Sequence, residues 1–335
     1  MPDHHDDAEA DPKRLAKKGL ILGIDLGGSK ILAAVVNHYN KVVGESKRLT
    51  PFASTERILT DAIVGCAEDA LKAAQITHKD LRAIGMGSPG PLNPDTGVVL
   101  RTGNIALKNY PIGSILSKHF GVKMTLDNDV HMGCFGEFKA GAGRGCRNIV
   151  GIWIGTGVGG CVIRDGLVVH GVNRNAGEVG HMILDTRLRM EEKGRGTLET
   201  ESSKTGLTNY IRRKIKSGEE TKMRRFVKGK KDRMKSSDLA DAYKKGDKVA
   251  VAAVEHSARY CGIAVANLFD ILSPELFILG GGVTEALGEH YLKLVDKTAN
   301  KYVYSTDLGG IKIALAQLGG DSGVIGAAIA ARERI

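Results

Sequence analysis

The sequence predicts an α/β protein built from two similar halves, and three observations carry that prediction. Short, β-branched runs bounded by turn residues alternate with longer stretches of helical apolar spacing along most of the 335 residues. A strand, a tight glycine turn and a second strand occur twice, with Gly23-Ile24-Asp25-Leu26-Gly27 and Gly151-Ile152-Trp153-Ile154-Gly155 lying 128 residues apart. Five residues do not by themselves separate a true repeat from coincidence. Glycine fills 44 of the 335 positions, nearly twice the roughly 7% of an ordinary globular chain, and Trp153 is the sole tryptophan. That bias fits a chain of tight turns where backbone approaches a ligand closely.

The elements follow in order. Residues 1–19 read as a solvated tail, acidic and then basic, with no apolar stretch of the signal-peptide kind. Residues 20–37 give a strand, a Gly27-Gly28 turn and a second strand, and a third strand starts near Lys41. Helical spacing behind a Ser54/Thr55 cap predicts a helix over 54–76. A buried strand at 83–88 runs into a loop, a helix follows at 111–120, then a strand and loop ending near Asp129, and a helix at 131–141. The second strand–turn–strand unit spans 147–169. From Ser237 helices resume, followed by a strand ending in Gly280-Gly281-Gly282, a helix at 284–300, a strand, and a small-residue helix at the end.

The formal charge is +10 and the pI about 9.3. Segment 211–235 holds twelve Lys/Arg against three acids, so it carries nine of the ten excess charges and the rest is close to neutral. The plainer reading is a solvated, partly helical surface insertion over 205–236. The sharper one is a polyanion site, for nucleic acid or a polyphosphate phosphoryl donor. Phe226 is its only aromatic, so base stacking has little to work with, and nucleic acid is not the expected partner. The five cysteines are scattered, odd in number and form no C-x-x-C, which argues against a disulfide framework and a cysteine zinc site and suits a cytoplasmic protein. No apolar run approaches the ~18 residues of a membrane helix.

Glycine-rich turns can cradle phosphate through backbone N–H groups. Two stretches match G-x-G-x-x-G, at 85–90 and 155–160, but neither is followed by a helix, so a dinucleotide fingerprint fails twice. No P-loop pattern exists either. What remains is a phosphate-binding β-turn used twice, plus the third cluster at 280–282; any one alone is as well explained by a tight hairpin.

Taken in order, GIDLGGSK (23–30), GSPGPLNPDTG (87–97), LDNDVHMGCFGEFKAGAG (126–143), IGTGVGGCVIRDGLVVHG (154–171), NAGEVGHM (175–182), ELFILGGGV (275–283) and GGDSGVIGAAIAA (319–331) resemble the ROK family of repressors, uncharacterised reading frames and sugar kinases. The resemblance implies an actin-like (ribonuclease H-like) ATPase fold, with two α/β lobes each built on a mixed five-stranded sheet flanked by helices. The small lobe would cover 20–127 with the C-terminal helix at 321–335, and the large lobe 128–320. It implies an ATP-dependent hexokinase acting on a 6-hydroxyl, glucose before others, with Mg²⁺, in a homodimer or homotetramer.

By the same resemblance, Gly27, Gly28, Ser29 and Lys30 form the first phosphate turn and Asp25 holds Mg²⁺ through water. Gly155, Thr156 and Gly157 form the second turn, and Gly280, Gly281 and Gly282 border the adenosine. Asn104, Asn128, Asp129, Glu178, His181 and Glu199 fall where relatives hydrogen-bond the sugar, and Asp129 matches the general base. These residue types suit the chemistry, since phosphoryl transfer is chiefly positioning and charge stabilisation, with one carboxylate taking the hydroxyl proton.

The sequence departs from many relatives where a histidine and three cysteines bind structural zinc. Met190, Glu192 and Thr197 stand at the cysteine positions, so no structural zinc is expected there. Tyr110 stands where glucose-using relatives often carry Trp. The alternatives are an N-acetylglucosamine or N-acetylmannosamine kinase, and a sugar-binding member without catalysis or a transcriptional regulator. A regulator needs a helix-turn-helix ahead of the sugar fold, and about 19 polar residues are too few for one.

Overall fold

Both glycine turns of the sequence prove to be hairpins at the centre of a sheet, and the two sheets share one connectivity. The computed structural model describes residues 19–51, 55–102, 107–191, 194–227, 234–307 and 309–335. They form two units, Met1–Ala140 with Gly320–Ile335, and Gly141–Gly319. The tail at 1–18 lies outside the described residues.

In the first unit, β1 (Ile21–Leu26) pairs antiparallel with β2 (Lys30–Val36), which pairs antiparallel with β3 (Val42–Leu49). Helix α1 (Glu56–Ala73) starts at Thr55, whose side chain accepts from the Ile58 N–H at 3.3 Å, and buries Leu59, Ile63, Cys66 and Ala70 against the sheet. β4 (Ala83–Ser88) pairs parallel with β1. The expected loop after Ser88 contains a small antiparallel sheet, β5 (Leu92–Asn93), β6 (Val98–Arg101) and β7 (Lys108–Tyr110). After α2 (Ile112–Phe120), β8 (Lys123–Asn128) pairs parallel with β4 and leads directly into α3 (Asp129–Ala140). The strand order is β3-β2-β1-β4-β8.

The C-terminal helix Ser322–Arg332 covers the other face of this sheet. It lies so close that a Cβ at Gly23 or Gly85 would meet the carbonyls of Val324 and Ala327. Only a hydrogen side chain fits there. The same helix packs along α3, so α3 belongs to this unit and the boundary falls after Ala140, not at the expected 127/128.

In the second unit, β9 (Ile149–Ile154), β10 (Val158–Arg164) and β11 (Leu167–Val168) repeat the antiparallel start. Five helices follow: α4 (Thr186–Glu191), α5 (Leu198–Ser202), α6 (Lys204–Lys216), α7 (Arg224–Val227) and α8 (Ser236–Lys244). The long α9 (Lys248–Leu272) starts at Asp247, which accepts from the Val249 and Ala250 N–H groups at 3.1 Å. β12 (Leu276–Gly280) pairs parallel with β9, α10 (Gly282–Leu287) and α11 (Glu289–Tyr302) follow, and β13 (Ile313–Leu315) closes the sheet. The helix expected over 284–300 is broken at Gly288, whose φ is +57°. The order β11-β10-β9-β12-β13 mirrors the first sheet strand for strand, so the five-residue repeat is a repeat of topology.

The basic segment corrects its sequence reading. It is not a surface insertion laid on a finished core, because Leu207, Ile211, Met223, Val227 and Met234 are buried in the second unit's hydrophobic cluster.

Candidate active site

In the first unit, three parallel strands end together. Asp25 of β1 is level with Gly87 of β4, and Gly87 with Asp127 of β8, so Asp25, Asn128 and Asp129 gather at the carboxyl edge of the sheet. That edge is where open α/β sheets hold ligands. The sequence placed Asp129 in a loop. It is instead the first residue of α3, with no loop between strand and helix. Asn128 takes the capping role there, its Oδ1 accepting from the Val130 N–H at 2.9 Å and the His131 N–H at 3.3 Å. Gly87 leaves room for this start, since a Cβ there would sit 3.0 Å from the Asp129 Cα. The helix N-terminus favours negative charge at Asp129.

Asp25 is half-buried, and burial followed by the charge of Asp129 pushes its carboxyl up to about 7, with Lys30 only partly opposing. Two neighbouring carboxylates that raise one another are the kind of environment a divalent cation relieves. The adjoining turn, Gly27, Gly28, Ser29 and Lys30, is closed by Gly27 N–H donating to the Lys30 carbonyl at 2.9 Å and braced by Thr50, whose hydroxyl donates to the Gly27 carbonyl at 2.8 Å. Gly28 and Ser29 are exposed at its tip.

In the second unit the equivalent turn is Gly155, Thr156 and Gly157, closed by Gly155 N–H donating to the Gly157 carbonyl at 2.9 Å. Its carbonyls face the start of α6: Lys204 N–H donates to Gly155 at 2.9 Å and the Thr205 hydroxyl to Thr156 at 2.8 Å. Glu199 braces it from the side, Oε2 accepting from the Val158 N–H at 2.9 Å, and a Cβ on Gly157 would collide with that oxygen. Glu178 and His181 sit at either end of a short 3₁₀ turn, exposed, with His181 Nε2 3.9 Å from Glu178 Oε2. Leu198 N–H donates to the Met182 carbonyl at 3.0 Å, which brings Glu199 on α5 beside that turn. Gly280 ends β12 against the Trp153 ring, and Gly281, at φ +89°, lies against the Ile154 backbone before α10 begins at Gly282.

The model of the ROK family matches residues 21–334. The chain belongs to the ROK family. A glucokinase of Halalkalibacterium halodurans is 31% identical over 317 residues, covering 91% of this chain and 92% of that one. An N-acetyl-D-glucosamine kinase of Vibrio cholerae is 29% identical over 314 residues, covering 91% and 97%. A crystal structure of a ROK family glucokinase from Streptomyces griseus, in complex with glucose and AMPPNP, superposes with a TM-score of 0.80 at 28% identity, over 94% of this chain and all of that one. The fold is accordingly that of the actin-like ATPases, as the ordered motifs implied.

Against the ROK expectations, Asp25, Gly27–Lys30, Asn128 and Asp129 come together in the first unit, and Gly155–Gly157, Glu178, His181 and Glu199 in the second. Asn104 and Glu192 lie outside the described residues. Tyr110 points at α1, its hydroxyl 2.9 Å from that of Thr60. Sequence reasoning missed what holds residues 194–202. Glu201, fully buried, accepts from Arg195 Nη2 at 3.1 Å, from the Gly196 N–H at 3.2 Å, and lies 2.9 Å from His256 Nε2. Burial alone would raise the Glu201 carboxyl, but His256 and Arg195 overcome it and hold it down at about 2. Tyr260 adds a second tie, donating to Asp185 at 3.0 Å. Thr197 serves as the cap of α5, accepting from the Thr200 N–H at 3.2 Å. The signal was readable only in part: Glu201 is two residues from Glu199, but His256 is 55 residues away on α9.

Proposed function

We propose that the chain is an ATP-dependent hexokinase of ROK type that phosphorylates the 6-hydroxyl of a hexose, with glucose the preferred substrate. The observation that carries this reading is the convergence of Asp25, the Gly27–Lys30 turn and Asp129 at the carboxyl end of one sheet. Asp129 accepts the proton of the hydroxyl as it attacks, and Asn128, fixed by accepting from the Val130 and His131 N–H groups, steadies the peptide that carries it. The two glycine turns present backbone N–H groups to the phosphates of ATP, and Lys30 adds a cation beside the first. Gly280–Gly282 would border the adenosine. Glu178, His181 and Glu199 supply acceptors and a donor for sugar hydroxyls, with Glu199 also bracing the second turn.

Asp25 would hold Mg²⁺ through water, and its raised carboxyl beside Asp129 fits that assignment. When bound, Mg²⁺ neutralises the charge that develops on the transferring phosphoryl group. ADP release with Mg-ATP is the test, across glucose, N-acetylglucosamine, N-acetylmannosamine, fructose, mannose and allose. Turnover highest on glucose is expected. Turnover only on the N-acetylated sugars would shift the assignment to an amino-sugar kinase, and sugar binding without turnover on any would overturn catalysis.

A further inference from the structure

One cluster of metal-ligating side chains in the first unit plays no part in phosphoryl transfer. Glu68 lies on the outer face of α1, His119 at the end of α2, and His78 in the 3₁₀ turn after α1. Chain geometry aims His78 back at its own helix. Gln75 takes a left-handed conformation (φ +55°), Ile76 N–H donates to the Leu71 carbonyl at 3.1 Å, and Thr77 N–H donates to Asp80 Oδ2 at 2.8 Å. His78 Nε2 and His119 Nε2 each lie 2.9 Å from the same oxygen, Glu68 Oε1. Phe120 backs both imidazoles edge-on, with ring centroids 4.8 Å and 4.7 Å away.

We propose that Glu68, His78 and His119 form a binding site for a first-row divalent transition ion of the zinc type. Two imidazole nitrogens and one carboxylate oxygen are a donor set such ions prefer, and three protein ligands leave a position for water or an anion. The three ligand atoms lie within 4.8 Å of one another. Around a tetrahedral ion with bonds of about 2.0–2.1 Å, neighbouring ligand atoms stand roughly 3.3 Å apart. Each imidazole therefore needs to retreat from Glu68 by about half an ångström, and the two imidazoles must settle at a similar spacing from each other. All three side chains are about two-fifths exposed, which allows that movement. Their protons shift to Nδ1, freeing the Nε2 lone pairs. A glutamate carboxyl is ionised at neutral pH, so the third ligand needs no help to carry its charge. A surface groove of about 670 Å³ opens beside Glu68 and His78, with Lys72 and Lys79 at its rim, giving the fourth position access to solvent and anions.

The ion would tie the end of α1, the following turn and the end of α2, and so stabilise the first unit without touching the phosphoryl-transfer groups. The test is a Co²⁺ titration of the metal-stripped full chain, read by its visible ligand-field bands, with Zn²⁺ competition. His4 and His5 are replaced by Ala in every arm so that they add no ligands. The expected result is one equivalent displaced by Zn²⁺ and lost in His78→Ala/His119→Ala. Glu68→Gln keeps a hydrogen-bonding oxygen and is expected to weaken binding by about tenfold or more. Zn²⁺ at about 100 times its Kd should raise Tm by roughly 5–10 °C in the parent and not in the double variant. No uptake, or an equal uptake by parent and double variant, would overturn the site.

Discussion

Asp25 shows at a single residue how function is set against stability. Its carboxyl sits half-buried beside a second acid, and Lys30 compensates only in part, so the folded chain carries a charge it would rather lose. Replacing it with Asn removes that strain. Asp25→Asn is expected to raise stability at pH 8 without Mg²⁺ by about 1–3 kcal/mol and to lower kcat by at least about 100-fold. Thermal melts and ADP release on the same sample check both. A destabilised variant, or one of undiminished activity, would contradict this account. Asp25 and Asp129 were legible in the sequence only through the ordered ROK-like motifs around them, GIDLGGSK and LDNDVHMGCFGEFKAGAG. What was not legible is that Asp129 opens a helix, since only the fold shows Asn128 turned to cap it.

At the scale of elements, residues 194–202 are the informative case. The sequence has no cysteines at the zinc positions of the resemblance, and periodicity and spacing give no sign of a partner 55 residues away on another helix. The Glu201–Arg195–His256 cluster ties α5 to α9, and α5 in turn carries Glu199 to the second glycine turn. Removing one member of a buried ionic cluster strands the others. Glu201→Gln is therefore expected to cost roughly 2–4 kcal/mol in denaturant unfolding at pH 7. The pH dependence has a definite sign. The folded Glu201 carboxyl is depressed to about 2 from an ordinary value near 4.5, so its contribution is complete above about pH 5 and is lost as pH falls towards 2. The gap between parent and variant should narrow over that range, and a gap that widened towards acid would contradict the assignment.

The whole molecule places charge and glycine differently from what composition suggested. Glycine proved the clearer guide, because it marks both the hairpin turns and the places where helix backbone meets sheet backbone, such as Gly23 and Gly85. The repeat, only five residues long in sequence, extends to two five-stranded sheets of identical order, which no short alignment could reveal. Among the described residues, Arg212, Arg213, Lys214, Lys216, Arg224 and Arg225 stand on α6 and α7, whose apolar residues Leu207, Ile211 and Val227 are buried in the second unit's core, so removing the segment is expected to destabilise that unit. Its exposed cations can be changed singly. Reversing Lys216, Lys222, Arg224 and Arg225 to Glu is expected to release the chain from heparin at lower salt and leave Mg-ATP kinetics unchanged. Equal retention would remove this face as an anion surface.

The most direct test of the central claim is steady-state phosphorylation of glucose by the full chain and by Asp129→Asn, with glucose binding measured by calorimetry and the product located by ³¹P NMR. The account predicts phosphate on the 6-hydroxyl, a kcat lowered by about 10²–10⁴ in the variant, and glucose affinity largely unchanged. A variant as active as the parent, or a parent that binds glucose and never transfers phosphate to it, would contradict it.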